Sequence, residues 1–291
     1  MTSRSLPGAT SPEPPSGVVV RLVRTGPASG PRPGPDPSGE PGGRAPARFD
    51  GFDDVDDVDG LDALERERAG RFVDPVRAGQ FVAGRAALRE LAAELLDVDP
   101  GRLRSDFACP RCSPAGGSDH GRPGYTVDGE RTPLSLSLSR AAGFVLVGGL
   151  TATGDRADEP QSLGVDLTAV TEVDFDGFDD VALTARERRS VHGMPPDGRA
   201  ATRARLWARK EAVAKALGTG FGGGTDPGAG AGPQTGARAG AEALSGAGRG
   251  TRPLDPHELD VLDDGRVRDL HRIDGVLLNG HGLTAAVAVV P

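Results

Sequence analysis

The stretch Leu206–Gly218, LWARKEAVAKALG, sets Trp207, Glu211 and Lys215 four residues apart. On a helix this spacing lines the three side chains along one face. A carboxylate one turn before an ammonium has two readings. One is an exposed ion pair, common on helix surfaces and weak. The other is a working pair, with Glu211 binding a metal or taking a proton and Lys215 holding a phosphate. Helix spacing alone favours the surface pair. Upstream, LGVDLTAV sets Asp166 among Val165, Leu167 and Val170. An acid in an apolar strand is costly unless it is paired or faces a metal from the strand end. The alternative is that Asp166 ends the strand and caps a turn.

Other chemistry-bearing residues give weaker signals. Cys109-x-x-Cys112 followed by His120 has the beginnings of a zinc site, with Asp106 or Asp119 as the remaining donor; the alternative is a turn with two packed thiols. His192, His257, His271 and His281 share no spacing and read as surface residues. The acidic run FDGFDDVDDVDG lacks the closing Glu of a calcium loop, and GTGFGGG lacks the Lys-Ser/Thr of a phosphate-binding loop. Arg186, Arg188, Arg189, Arg199, Arg203, Arg205 and Arg209 form either a docking face for an acidic partner or a solvated helix surface.

The elements that must position these residues follow from periodicity. RAGQFVAGRAALRELAAELL carries Phe81, Leu88, Leu91 and Leu95 near helical spacing and ends at Asp99-Pro100-Gly101. A loop containing CPRCSPAGGSDHGRPG follows. TPLSLSLSRAAG alternates as a half-buried strand, and FVLVGGLTA and LGVDLTAV read as buried strands. TARERRSVHG and TRARLWARKEAVAKALG are two helices broken at Met194-Pro195-Pro196, and RVRDLHRI and HGLTAAVAVV are strands. Residues 1–47 read as a disordered Pro/Gly-rich tail in which GVVVRLV can add an edge strand. A Gly-rich insert at about 219–250 cannot bury a core. The expected organisation is α+β: one half over 48–154 and a similar half over 155–291.

Composition narrows the function classes. A net charge of -8 argues against nucleic-acid binding, which needs a basic face. No apolar run has the length of a membrane span. The N-terminus shows no apolar secretion signal, and two cysteines make no disulfide scaffold, so a reduced cytoplasmic setting is expected.

Gly164-Val165-Asp166 followed by Trp207-x-x-Lys210-Glu211-Ala212-x-x-Lys215, then Gly218 and Gly220, resembles the 4′-phosphopantetheinyl transferases that modify synthase carrier proteins. The likeness covers roughly residues 60–220 and the last strand, and the lead-in RFVDPVRAGQFVAGRAALR and HGRP resemble the actinobacterial branch. The resemblance implies two α+β halves related by a pseudo-twofold, with coenzyme A in the cleft and Mg²⁺ on its pyrophosphate. Asp166 and Glu211 match metal-binding acids, with Thr168 standing where the family usually has a second strand acid. Glu211 and Lys215 match the catalytic pair: Glu211 helps remove the proton from a carrier serine, and Lys215 neutralises the departing phosphate. Arg122, Ser137, Ser139, Lys210 and Arg85 are the candidate coenzyme-binding residues, although Lys210 and Trp207 hold motif positions that are mainly structural. Leu138 replaces a histidine that in the family contacts the 3′-phosphate. The implied partners are an acyl or peptidyl carrier protein and coenzyme A, and two halves in one chain fit a monomer. The rival reading is a degenerate relative that binds coenzyme A or a carrier without turnover.

Overall fold

The computed structural model describes residues 14–25, 60–109, 113–118, 120–151, 161–221 and 254–291. After strand β1 (Val18–Arg24) come helices α1 (Ala63–Ala69) and α2 (Pro75–Leu96). Short strands follow: β2 (Leu103–Ser105), β3 (Phe107–Cys109), β4 (Ser113–Ser118), β5 (Tyr125–Val127) and β6 (Glu130–Arg131). The long strands β7 (Leu134–Ala141), β8 (Phe144–Thr151) and β9 (Ser162–Ala169) lead to helices α3 (Phe178–Ala182), α4 (Ala185–His192) and α5 (Pro196–Leu217). The chain closes with β10 (Val267–Leu270), β11 (Arg272–Ile273), β12 (Val276–Leu277) and β13 (Leu283–Val290).

Two three-stranded antiparallel sheets dominate, ordered β1-β8-β7 and β10-β13-β9. Helix α2 lies on the first through β8 and β7, and α5 lies on the second through β9 and β13. The alternation that predicts the strands explains the layers, because successive side chains point to opposite faces. Val145 and Val147 of β8 join Leu88, Leu91 and Leu136 beneath α2. Phe144, Leu146 and Leu150 face the other way, into a core shared with Leu163, Val165, Leu167 and Val287 from the second sheet. On β9 those three apolar residues take one face, which leaves Gly164, Asp166 and Thr168 for the face covered by α5.

The two sheets meet where β7 runs beside β9, each an edge strand of its own sheet. Serines join them. The Leu163 N–H donates to Ser135 Oγ at 2.8 Å and the Val165 N–H to Ser137 Oγ at 3.0 Å. Ser139 Oγ donates to Asp166 Oδ1 at 2.7 Å. The LSLSLSRA alternation therefore turns Leu136 into the core beneath α2 and its serines toward the neighbouring edge. Those hydroxyls satisfy strand N–H groups that would otherwise be buried without a partner.

The structure adds elements to the sequence reading. The segment after Leu61, in which the sequence reading placed no helix, contains α1, with a capping box in which Asp62 Oδ1 accepts the Glu65 N–H and Glu65 Oε2 accepts the Asp62 N–H. Arg89 is buried against Glu65 at 2.5 Å and Asp62 at 3.1 Å, which anchors α1 to α2. The segment expected as a loop around CPRCSPAGGSDHGRPG holds the β3–β4 pair. The GVVVRLV strand does form, at the edge of its sheet against β8. The rest of the expected N-terminal tail and most of the Gly-rich insert lie outside the described residues.

Candidate functional site

Helix α5 starts with Pro196 in its first turn and ends at Gly218, which adopts φ 71°. That left-handed conformation suits glycine and closes the helix directly after Lys215 and Leu217. What brings the helix onto β9 is Gly164. A Cβ there would lie 1.9 Å from Ala212 O and 2.6 Å from Ala216 N. The first glycine of the Gly-Val-Asp motif is thus a contact surface for the helix backbone. With the backbones this close, the period-two face of β9 presents Asp166 to the period-four face of α5 that carries Glu211 and Lys215.

Asp166 is 5% exposed. Its carboxylate accepts three donors: Ser139 Oγ and Lys215 Nζ on Oδ1 at 2.7 and 2.6 Å, and Thr168 Oγ1 on Oδ2 at 2.8 Å. Lys215 also donates to Val165 O at 3.3 Å. Buried carboxylates are held by such charge-assisted bonds. Glu211 is half-buried. Burial pushes its carboxyl up to about 7; the Lys215 ammonium pulls it back, and the negative charge of Asp166 adds to the rise. The sequence reading missed Glu172, in the turn after β9. Its Oε2 accepts the Ala169 N–H at 3.3 Å. Burial raises this carboxyl, the Ala169 hydrogen bond opposes the rise, and Asp166 reinforces it. An acid six residues past the motif Asp, in the turn leaving the strand, was the available signal.

Asp166, Glu211 and Lys215 are thus brought together, with Thr168 and Ser139 beside them. The remaining candidates have other employment. Lys210 is fully enclosed and paired with fully enclosed Glu187 at 2.8 Å. Its ammonium also donates to Pro256 O and Leu259 O. Burial pushes this ammonium down, against the pull of Glu187. It clamps α4, α5 and the segment before β10, so it is closed to a coenzyme and its motif position is structural. Ser137 is 4% exposed and occupied by the Val165 N–H. The Ser139 hydroxyl serves Asp166 instead of facing a phosphate. Arg85 is buried with its guanidinium carbon 3.8 Å from the Phe107 ring centre and 5.0 Å from that of Phe81, a place in the core beneath the first helix pair. Leu138, in the histidine position, packs against the core beneath α2.

Arg122 lies at the C-terminal end of α5, against the backbone of Lys215. Its guanidinium donates to the Lys215 and Ala216 carbonyls and to Ser162 Oγ at 3.2 Å. A cation on the last carbonyls of a helix complements the helix dipole. Burial lowers the proton affinity of this guanidinium. Arg122 therefore ties the loop before β5 to the end of α5 and the start of β9. Trp207 is half-buried, stacked on Phe221 at 5.4 Å and edge-on to Phe178 at 6.0 Å.

The alternative sites fall only partly within the described residues. Cys109 is buried in β3, while Cys112 and Asp119 lie outside the described residues. Asp106 accepts Arg131 Nε at 2.6 Å and the Gly117 N–H at 2.8 Å. Among the described residues no three His, Cys, Asp or Glu side chains are grouped to hold a metal by themselves. The arginine series is largely matched by acids: Arg186 pairs with Asp260 and Asp263, Arg188 with Asp180, Arg203 with Asp179, and Arg205 and Arg209 with Asp269. No helix among the described residues is long and apolar enough to cross a membrane.

Comparison with known proteins falls on this same region. Residues 162–231 match the family model of the 4′-phosphopantetheinyl transferase superfamily, a span that opens at β9 and includes all of α5. The chain is also similar to the 4′-phosphopantetheinyl transferase HetI of Nostoc sp. (strain PCC 7120), at 26% identity over 160 residues. That alignment covers 54% of this chain and 59% of the relative. The segment that carries Asp166, Glu211 and Lys215 is thus the one that matches the 4′-phosphopantetheinyl transferase superfamily model.

Proposed function

We propose that the chain transfers the 4′-phosphopantetheine group of coenzyme A to a serine of an acyl or peptidyl carrier protein. The observation that carries this reading is the convergence of Asp166 from β9 with Lys215 and Glu211 from α5, where the 2.6 Å ion pair joins two elements remote in sequence. The family-model match and the HetI relative named above support it.

In the reaction the serine oxygen bonds to the β-phosphorus of the pyrophosphate, and the bond from that phosphorus to the bridging oxygen breaks. The bridging oxygen leaves with its electron pair as part of 3′,5′-ADP. Glu211 receives the serine proton, directly or through a water. Lys215 offsets the negative charge that gathers on the leaving phosphate.

Asp166 and Glu211 are hard oxygen donors and would hold Mg²⁺, with the Thr168 hydroxyl close to Asp166. Two carboxylates suit Mg²⁺, which characteristically retains water and substrate phosphate ligands. Mg²⁺ supplies charge neutralisation to the diphosphate when bound. The halves span 48–154 and 155–291 and are related by a pseudo-twofold, a reading supported by a 22-residue helix packed on an antiparallel sheet in each, although the first sheet takes its third strand, β1, from residues 18–24.

The test combines purified protein, Mg²⁺, coenzyme A and an apo carrier, read by intact-protein mass spectrometry. The expected result is a carrier mass gain of one phosphopantetheine group, abolished by Glu211→Gln. Coenzyme A binding without any mass gain across several carriers would return the degenerate-binder reading.

A further inference from the structure

Asp166 and Lys215 are unequal partners. Asp166 is fixed by hydroxyls on both sides, Ser139 on Oδ1 and Thr168 on Oδ2. Its side chain is 6% exposed, whereas that of Lys215 is 22% exposed. The lysine sits in the last turn of α5 on a flexible four-carbon stem, and its ammonium directs two donors inward, to Asp166 Oδ1 and Val165 O. The carboxylate is the anchored member and the ammonium is the one able to turn outward.

Charge decides what this pair does to an arriving ion. With a threonine at 168, the strand face contributes one carboxylate, and that carboxylate already has a cation at 2.6 Å. Among the described residues Glu211 is then the one motif carboxylate without a direct ion pair, and a single carboxylate holds a dehydration-resistant divalent ion poorly. A diphosphate changes the balance. It supplies anionic oxygens both to the ion and to Lys215, so the ammonium can exchange Asp166 for phosphate while the ion takes its place.

We propose that Lys215 is a built-in counter-ion that holds the cation position on Asp166 in the ligand-free protein, so that a divalent ion enters together with a diphosphate and not ahead of it. The proposal rests on the transferase reading above, which places a divalent ion and a pyrophosphate at this site.

The experiment measures Mn²⁺ affinity on the full chain by electron paramagnetic resonance with no carrier, for every variant without coenzyme A and for the parent also with it; the parent is expected to bind Mn²⁺ about tenfold or more tighter with coenzyme A. Lys215→Met, which keeps chain length and removes charge, is expected to bind Mn²⁺ about tenfold or more tighter than the parent, and Lys215→Arg to stay within about threefold of it. Lys215→Gln is measured beside the methionine variant, so a folding defect peculiar to one of them leaves the other to decide. Arg122→Gln removes a cation that touches the carbonyl of Lys215 but not Asp166, and is expected to change the affinity by less than about threefold. Equal or weaker Mn²⁺ binding by both neutral variants overturns the counter-ion role, as does a gain in Arg122→Gln matching theirs. Failure of the parent to take up Mn²⁺ even with coenzyme A present would overturn the proposal together with the metal part of the transferase reading. Tight Mn²⁺ binding by the parent without coenzyme A would overturn the proposal and leave the transferase reading standing.

Discussion

Replacing Glu211 by glutamine keeps the shape of the protonated side chain and removes its titration, which isolates the energetic consequence of placing a carboxylate there. Burial lifts this carboxyl from 4.5 to about 7, with Lys215 opposing and Asp166 assisting. The folded protein thus binds this proton more tightly than the unfolded chain does. Its contribution to stability is complete below pH 4.5 and is lost as pH rises through about 7. Each pH unit between the two affinities is worth about 1.4 kcal/mol, which sets an upper bound of about 3 kcal/mol. Glu211 retains solvent contact, and screening reduces the expected effect to about 1–2 kcal/mol. The assay is urea unfolding of parent and variant in EDTA at pH 4.5 and pH 8. The two proteins should be equally stable in acid, and Glu211→Gln should be the more stable by about 1–2 kcal/mol in base. Parallel pH profiles, or a parent that is the more stable at pH 8, would refute the assignment of a strained carboxylate. The expected sign is itself informative, since a group that weakens the fold under working conditions is kept for another reason.

Lys210→Met leaves Glu187 buried without its cation, and should lower stability by about 3–5 kcal/mol in chemical denaturation; a change below about 1 kcal/mol would show that the pair is not the clamp described. Gly164→Ala requires β9 and α5 to separate, because the new methyl would sit 1.9 Å from Ala212 O. That variant should be unfolded or lower in stability by about 3 kcal/mol or more, seen in the thermal midpoint, and parent-like stability would contradict the close approach.

The long elements were legible because each repeats a period over enough residues to be unmistakable. Strands β7, β8, β9 and β13 alternate or run apolar, and α2 and α5 hold their helical spacing to a clear stop. Strands β2 to β6 were not legible, since two to six residues of mixed polarity carry no period. Helix α1 was hidden by acidic surroundings although Asp62 and Glu65 spelled its capping box. At the site, the motif identified Asp166, Glu211 and Lys215, but not their mutual arrangement. The partners of Ser137 and Arg122 were not legible for one reason: a hydroxyl or guanidinium declares its capacity in sequence and its partner only in space. The Val165 N–H and the α5 terminal carbonyls are reached across tertiary contacts that no local pattern encodes.

The serine seam between β7 and β9 has a mechanical corollary. A backbone ladder fixes two strands in steps of a residue pair, whereas a hydroxyl rotates about its own bond and can follow a small slide without letting go. The junction is therefore compliant along the strands and stiff across them. Since Ser139 grips Asp166 from the far side of that junction, a displacement of the first sheet would be transmitted straight to the acid at the heart of the site.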